Sequence, residues 1–182
     1  MYPVEYATWL LNPLRYLVAS PRRIVGRLQL LPADRVLEVG CGPGFFSPTI
    51  ALKLTAGHLT LLDAQTPMLK MAAHRLDKRG LANFTSVLGL AEKLPFTDAV
   101  FDVVFMVTVL GEVSDRAAAI KEVARVLRAG GRFSSTEAVG DPDRVNHTEL
   151  DELAGLAGLA KGQSWSSLLI KTFNYTKPAE AK

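Results

Sequence analysis

Thiols and imidazoles are almost missing from this chain. Its 182 residues hold one cysteine, Cys41, and three histidines, His58, His74 and His147, far apart in sequence. One cysteine excludes an internal disulfide and a thiolate metal cluster. The histidines fall into no metal-ligand spacing, so no metal site is expected. Charge of one sign is lacking too: the formal net charge is +3 and the basic residues are scattered, too weak a bias for a nucleic-acid surface. No apolar run is long enough to cross a bilayer. Tyr6 to Ala19 is hydrophobic, but Asn12, Pro13 and Arg15 interrupt it, and it is shorter than a span requires. The first residues lack the basic start and unbroken apolar run of a signal peptide. These absences predict a cytoplasmic protein without stable membrane insertion. Repeats and low-complexity segments are absent as well. The hydrophobic content of 48% fits one compact domain over 1–182.

What is present centres on Arg35-Val36-Leu37-Glu38-Val39-Gly40-Cys41-Gly42-Pro43-Gly44-Phe45-Phe46. β-favouring residues lead into three glycines within five positions, and an apolar helical pattern follows. That reads as a strand, a tight turn and a helix start, where backbone can approach a ligand closely. The dinucleotide fingerprint would need a glycine at position 45, where Phe45 stands. Glu38 would repel a pyrophosphate at close range. A carboxylate beside a glycine turn suits a ligand that carries an amine or another cation. Cys41, inside the turn, reads as a small side chain beside that ligand.

Before this stretch, residues 1–31 read as a helical segment: an aromatic-rich apolar face around Pro13, then a helix opened by Ser20-Pro21 and running to about Leu31. The first part is either a helix packed on the core edge or a lid over an apolar substrate. After the glycines, Phe46 to Leu54 is predicted helical and His58 to Leu62 a second strand. Asp63 ends that strand, 19 residues beyond Gly44. A carboxylate there is placed to accept hydrogen bonds from ribose hydroxyls. Thr66-Pro67 is expected to cap and begin a helix to about Lys78, followed by a third strand, Phe84 to Leu88. A nearly all-apolar strand, Asp102 to Val107, has the character of a central parallel strand. The loop after it carries Glu112, near where ligands bind in such sheets. Ser114-Asp115 opens a helix that Gly130-Gly131 is expected to end, launching a fifth strand from Arg132 to Ala138. Glu137 near its end, and Asp141 beyond it, are further candidates for the substrate cleft. Thr148 to Leu159 is predicted helical. A hairpin then joins Leu159–Ser164 to Leu168–Tyr175 across a turn at Trp165-Ser166, and a tail follows over 177–182.

The glycine stretch resembles motif I (E/D-x-G-x-G-x-G) of the class I S-adenosylmethionine-dependent methyltransferases. Gly89-Leu90-Ala91-Glu92-Lys93-Leu94-Pro95-Phe96 is similar to that family's G-D-A-x-x-L-P-F loop, and Phe101-Asp102-Val103-Val104 to the F-D-x-V strand after it. Arg125-Val126-Leu127-Arg128-Ala129-Gly130-Gly131-Arg132-Phe133 resembles its R-V-L-K-P-G-G-R-L signature. The four motifs occur in the family's order, and the resemblance spans roughly residues 20–176. The resemblance is to the quinone-biosynthetic, small-molecule branch. It implies an α/β fold: a doubly wound, Rossmann-like seven-stranded sheet of order 3-2-1-4-5-7-6, its last strand antiparallel, with helices on both faces and a cofactor-binding core over 32–176. It implies S-adenosylmethionine as cofactor, with Glu38 near its amino-acid end and Asp63 on its ribose. Gly40, Cys41, Gly42, Gly44, Phe45, Ala64, Met68, Leu90, Ala91, Glu92, Met106 and Val107 would complete the site. Leu90 departs from the pattern, which has an aspartate that accepts from the adenine amino group. That loss is worth about 1 kcal/mol net. The resemblance implies methyl transfer to a small acceptor, which the apolar N-terminal segment suggests is apolar too, in a monomer or homodimer. Glu112 and Glu137 are the candidates for substrate or proton handling. Two other readings stay open: an inactive, cofactor-binding or fold-only relative serving as a partner subunit, and a nicotinamide-dependent oxidoreductase.

Overall fold

The structure is a computed structural model and describes residues 19–140 and 143–179. The expectations for residues 1–18, for Asp141 and for the last three residues lie outside the described residues.

Seven strands form one sheet: β1 (Arg35–Val39), β2 (His58–Asp63), β3 (Phe84–Leu88), β4 (Phe101–Val107), β5 (Leu127–Ala138), β6 (Ala160–Ser166) and β7 (Ile170–Thr176). Their order is β3-β2-β1-β4-β5-β7-β6, as the resemblance implies. β1 to β5 pair in parallel, while β7 runs antiparallel to both its neighbours. Side chains alternate across the sheet, so each face builds its own core. Val36, Leu59, Leu61, Val103 and Phe105 pack against α1 (Pro21–Arg27), α2 (Ser47–Ala51) and α3 (Thr66–Asp77). Leu37, Val39, Leu62, Val104 and Met106 pack on the opposite side, against α4 (Arg116–Val126) and α5 (His147–Leu156).

Several boundaries differ from expectation, each for a local reason. α1 ends at Arg27, and Gln29 at φ 51° turns the chain out of the helix well before Leu31. α2 has only five residues. Thr66 does not cap α3: Gln65, in extended conformation, holds the N-cap position and Thr66-Pro67 form the first turn. Asp115 does cap α4, its side chain accepting from the Ala118 amide at 2.9 Å. That helix stops at Val126 rather than at the glycines, because Leu127 is already extended and pairs with Phe101. Gly130-Gly131 instead lie within β5, where its register against β4 shifts, and the Gly130 amide donates to the Lys177 carbonyl. α5 starts behind an Asn146 cap and ends before a left-handed Gly158. The hairpin turn falls at 167–169, leaving Trp165 inside β6, paired with Thr172.

Candidate functional site

The turn after β1 is tied to β2. The Gly40 and Cys41 amides both donate to the Leu62 carbonyl, at 2.7 and 3.1 Å. Gly40 has φ +66°, and a Cβ there would lie 2.4 Å from Val109 Cγ2, so the chain after β4 rests directly on this glycine. Gly44 serves a different purpose. A Cβ at Gly44 would lie 2.8 Å from the Ala72 Cα, so its bareness lets α3 dock against the turn.

Two buried carboxylates stand beside this turn. Asp63, 7% exposed, accepts from the Gly42 amide through Oδ2 at 2.8 Å and from the Gln65 amide through Oδ1 at 2.9 Å. It therefore holds the glycine turn and the start of α3 together, and each oxygen keeps further acceptor capacity. Burial pushes its carboxyl up, against the opposing effect of the Gly42, Gln65 and Ala64 amides. Glu38, 2% exposed, accepts from the Ser47 hydroxyl at 2.6 Å. Burial pushes it up to about 8; the Ser47 hydrogen bond opposes the rise and the Asp63 charge adds to it. Burial, with Glu38 and Asp63 close by, also drives the Cys41 thiol well above its ordinary value. Cys41 is therefore held as the unreactive thiol.

At the carboxyl ends of the strands these groups line a cavity of about 470 Å³. Of the residues singled out from the sequence, Glu38, Gly40, Cys41, Gly42, Phe45, Asp63, Ala64, Met68, Leu90, Ala91, Glu92, Val107 and Glu112 all line it. Gly44, Met106 and Glu137 do not. Met106 is fully buried in the core against α4, and its neighbours Phe105 and Val107 reach the cavity instead. Period-two alternation along β4 forbids Met106 and Val107 from sharing a face. Glu137 is buried on β5, where it accepts from Ser135 Oγ at 3.1 Å. Leu90 is 53% exposed at the cavity edge, bridged to Lys93, while Ala91 is buried behind it.

Thr108, Val109, Val113, Ser114 and Ala138 form the wall beyond β4 and β5; the loop after β4 is expected near the ligand, but Glu112 is the one residue of it singled out from sequence. Thr108 carries φ 52°, costly for a β-branched residue. Its amide is held by the Thr136 carbonyl at 2.8 Å and its hydroxyl donates to the Val107 carbonyl. No feature of the local pattern signals such a conformation.

Two further ties set the loop over 89–96. Glu92 Oε1 accepts from the Ser114 amide at 3.2 Å, joining this loop to the segment that carries Glu112. Arg125, in the R-V-L signature, donates to the carbonyls of Leu94 and Phe96 and pairs with Glu122 and Asp98. Glu122 in turn accepts from the Leu94 amide. The signature thus braces a cavity wall from below. Among the described residues no group of histidine, cysteine or acidic side chains could hold a metal, and no helix is long and apolar enough to cross a membrane.

The family model described as Methyltransferase domain matches residues 37–135, which contain the glycine turn, Asp63, the 89–96 loop and the R-V-L signature. The chain belongs to the S-adenosylmethionine-dependent methyltransferase family. It is 38% identical over 116 residues to the ubiquinone/menaquinone biosynthesis C-methyltransferase of Xanthomonas campestris, covering 63% of this chain and 46% of that protein. It is 30% identical over 157 residues to the O-methyltransferase rstn1 of Aspergillus nomiae, covering 83% and 68% respectively. The chain thus spans about half the length of the C-methyltransferase relatives. In fold it is similar to a SAM-dependent methyltransferase from Aquifex aeolicus, with a TM-score of 0.90 at 20% identity, covering 97% of this chain and all of that one.

The methyltransferase cavity fits the family's cofactor on its own chemistry. Among the described residues, its ionisable lining groups are the carboxyls of Glu38, Asp63, Glu92 and Glu112 and the Cys41 thiol, with no lysine, arginine or histidine. Such a set favours a ligand bearing a sulfonium and an ammonium, and opposes a pyrophosphate. The volume lies within the roughly 300–1,000 Å³ usual for small-ligand pockets.

Proposed function

We propose that this domain binds S-adenosylmethionine in the cavity and directs its methyl group to a small, apolar acceptor. The observation that carries the reading is the pair of buried carboxylates, Glu38 and Asp63, flanking a glycine turn in a cavity that among the described residues is lined by no lysine, arginine or histidine. The cofactor supplies a methyl group already activated on a sulfonium, so the protein's task is to bind, align and exclude water. Asp63 would accept from the ribose hydroxyls and Glu38 would face the amino-acid end. Gly42 would allow close backbone approach, with Gly40, Cys41 and Phe45 beside it. Met68, Ala64, Leu90 and Ala91 would flank the adenine, the Ala91 amide serving where the missing aspartate would have reached. Val107 borders the transferred methyl, and Phe105, Val109 and Val113 keep the acceptor side apolar. Glu112, exposed on the 3-10 turn Leu110–Glu112, would orient the acceptor or take its proton. Glu137 has no part in this arrangement. The relatives' names include both C- and O-methyltransferases, so the acceptor atom is open.

Calorimetric titration with S-adenosylmethionine, S-adenosylhomocysteine and NAD tests the reading. Binding of both sulfur ligands and none of NAD is expected. Binding of NAD alone would overturn it in favour of an oxidoreductase. Absence of all binding would overturn it in favour of a fold-only relative.

A further inference from the structure

Val107, Thr108 and Val109 line the cavity in succession. A regular strand cannot do this, because its consecutive side chains point to opposite faces. Thr108 achieves it by leaving the strand conformation at φ 52°. Among the described residues, Gln29, Ala99 and Thr108 are the non-glycine positions at positive φ, and of these Thr108 is the one that is β-branched and the one that lines the cavity. A glycine would take this conformation without strain, whereas a threonine there persists only where its surroundings hold it. The holding contacts are the Thr136 carbonyl, which accepts from the Thr108 amide at 2.8 Å, and Val109 beyond it, seated against Gly40.

The side chain is held as firmly, and the way it is held fixes what it can offer. Thr108 Oγ1 donates to the Val107 carbonyl at 2.7 Å. A carbonyl cannot donate in return, so the hydroxyl's single hydrogen is committed there and its oxygen presents lone pairs alone. Among the described residues nothing donates to that oxygen. Thr108 is half-buried, and its neighbours in the wall, Val107, Val109, Val113 and Ala138, are apolar. It is a fixed hydrogen-bond acceptor in the wall that the methyl-transfer reading gives to the acceptor molecule.

From this geometry we propose that Thr108 is a specificity-determining residue: its Oγ1 accepts a hydrogen bond from an O–H or N–H of the methyl acceptor, so the site takes molecules carrying such a donor over hydrocarbons of the same shape. The proposal rests on the methyl-transfer reading above and narrows its acceptor class. The discrimination is asymmetric. A molecule without the donor leaves the Thr108 oxygen covered and unpaired, which costs more than a formed hydrogen bond gains. Sites built to bond a substrate hydroxyl reject analogues that lack it for this reason. The tie to Val107 sharpens the choice, since a hydroxyl free to rotate could donate as well as accept.

The test uses protein saturated with S-adenosylhomocysteine and two probes of one shape, benzyl alcohol and ethylbenzene, with affinities read by NMR titration. The quantity compared is the ratio of the two affinities, because the probes' own hydrophobicity cancels between protein variants. T108S keeps the hydroxyl and is expected to keep the wild-type ratio. T108V, of the same shape, and T108A are each expected to lower the alcohol-to-hydrocarbon ratio about tenfold. A purely structural role would weaken both probes together and leave the ratio unmoved. A contact to the cofactor's ammonium instead would weaken S-adenosylhomocysteine binding in T108V and T108A, again with the ratio unmoved. Either result, or a loaded wild type that binds neither probe, would overturn the proposal. Failure of the wild type to bind S-adenosylhomocysteine in the first place would refute the methyl-transfer reading itself, which separates the two failures.

Discussion

Ser47, the first residue of α2, donates its hydroxyl to Glu38 near the end of β1, Oγ to Oε2 at 2.6 Å, and both side chains are buried. Among the described residues Glu38 makes no ion pair. The groups around it are the Ser47 hydroxyl, the Cys41 thiol and Asp63, with Glu92 and Glu112 across the cavity. Its proton is therefore retained in the free protein to about pH 8, whereas an unfolded glutamate loses it near 4.5. Between those values the unfolded state binds fewer protons, so stability falls as pH rises from about 4.5 to 8 and then levels off. Glu38→Gln should remove that decline and stabilise the free protein at pH 8 by a few kcal/mol. Urea unfolding at pH 5 and pH 8 measures it; identical pH slopes for both proteins would contradict it.

The same proton should be released when a cationic ligand binds. Affinity for S-adenosylmethionine should then rise with pH up to about 8, the folded value of Glu38, and flatten above it. Calorimetry in buffers of different ionisation heat counts the protons, and Glu38→Gln should abolish the release and weaken binding.

Asp63 acts on the turn and on the ligand. Asp63→Ala leaves the half-buried Gly42 and Gln65 amides without their acceptor, so stability should drop by about 1–3 kcal/mol and cofactor binding weaken by about 2–3 kcal/mol. Asp63→Asn keeps an acceptor for the turn and should recover more stability than affinity. Thermal melts and ligand titrations on both variants separate the two roles; full affinity in Asp63→Ala would remove Asp63 from the ribose.

Gly40→Ala drives a methyl group into Val109 and is expected to cost about 1–3 kcal/mol. Pairing it with Val109→Ala should restore only part of this, because the positive φ at Gly40 stays unfavourable for alanine. Complete recovery in the double variant would show that backbone conformation contributes nothing.

Arg125→Lys should loosen the 89–96 loop without disturbing the sheet. A lysine cannot reproduce the forked contacts to Glu122, Asp98 and the Leu94 and Phe96 carbonyls, and the expected loss is about 1–3 kcal/mol. Hydrogen exchange should accelerate at 89–96 more than in β4. Uniform acceleration across the domain would contradict a local bracing role.

The sequence alone determined what neighbouring residues decide among themselves. A glycine turn after a β-favouring strand, an aspartate capping α4 and an apolar β4 are settled within a few positions, by backbone freedom, local hydrogen bonds and hydropathy. Those features located the Gly40–Gly42 turn and Asp63, while the 89–96 loop was placed by its resemblance to the family's motif. The strand order came with the family resemblance carried by those same motifs. Tertiary structure decided what depends on partners distant in the chain. Met106 turned from the cavity because β4 sits between two cores and its alternation is fixed by both. Gly44 proved to be a seat for Ala72, and Gly130-Gly131 a register shift against β4 rather than a helix stop. Val109, Val113 and Ala138 became the cavity wall because β4 and β5 end side by side. Packing across the sheet sets these positions, and no short stretch of sequence contains it.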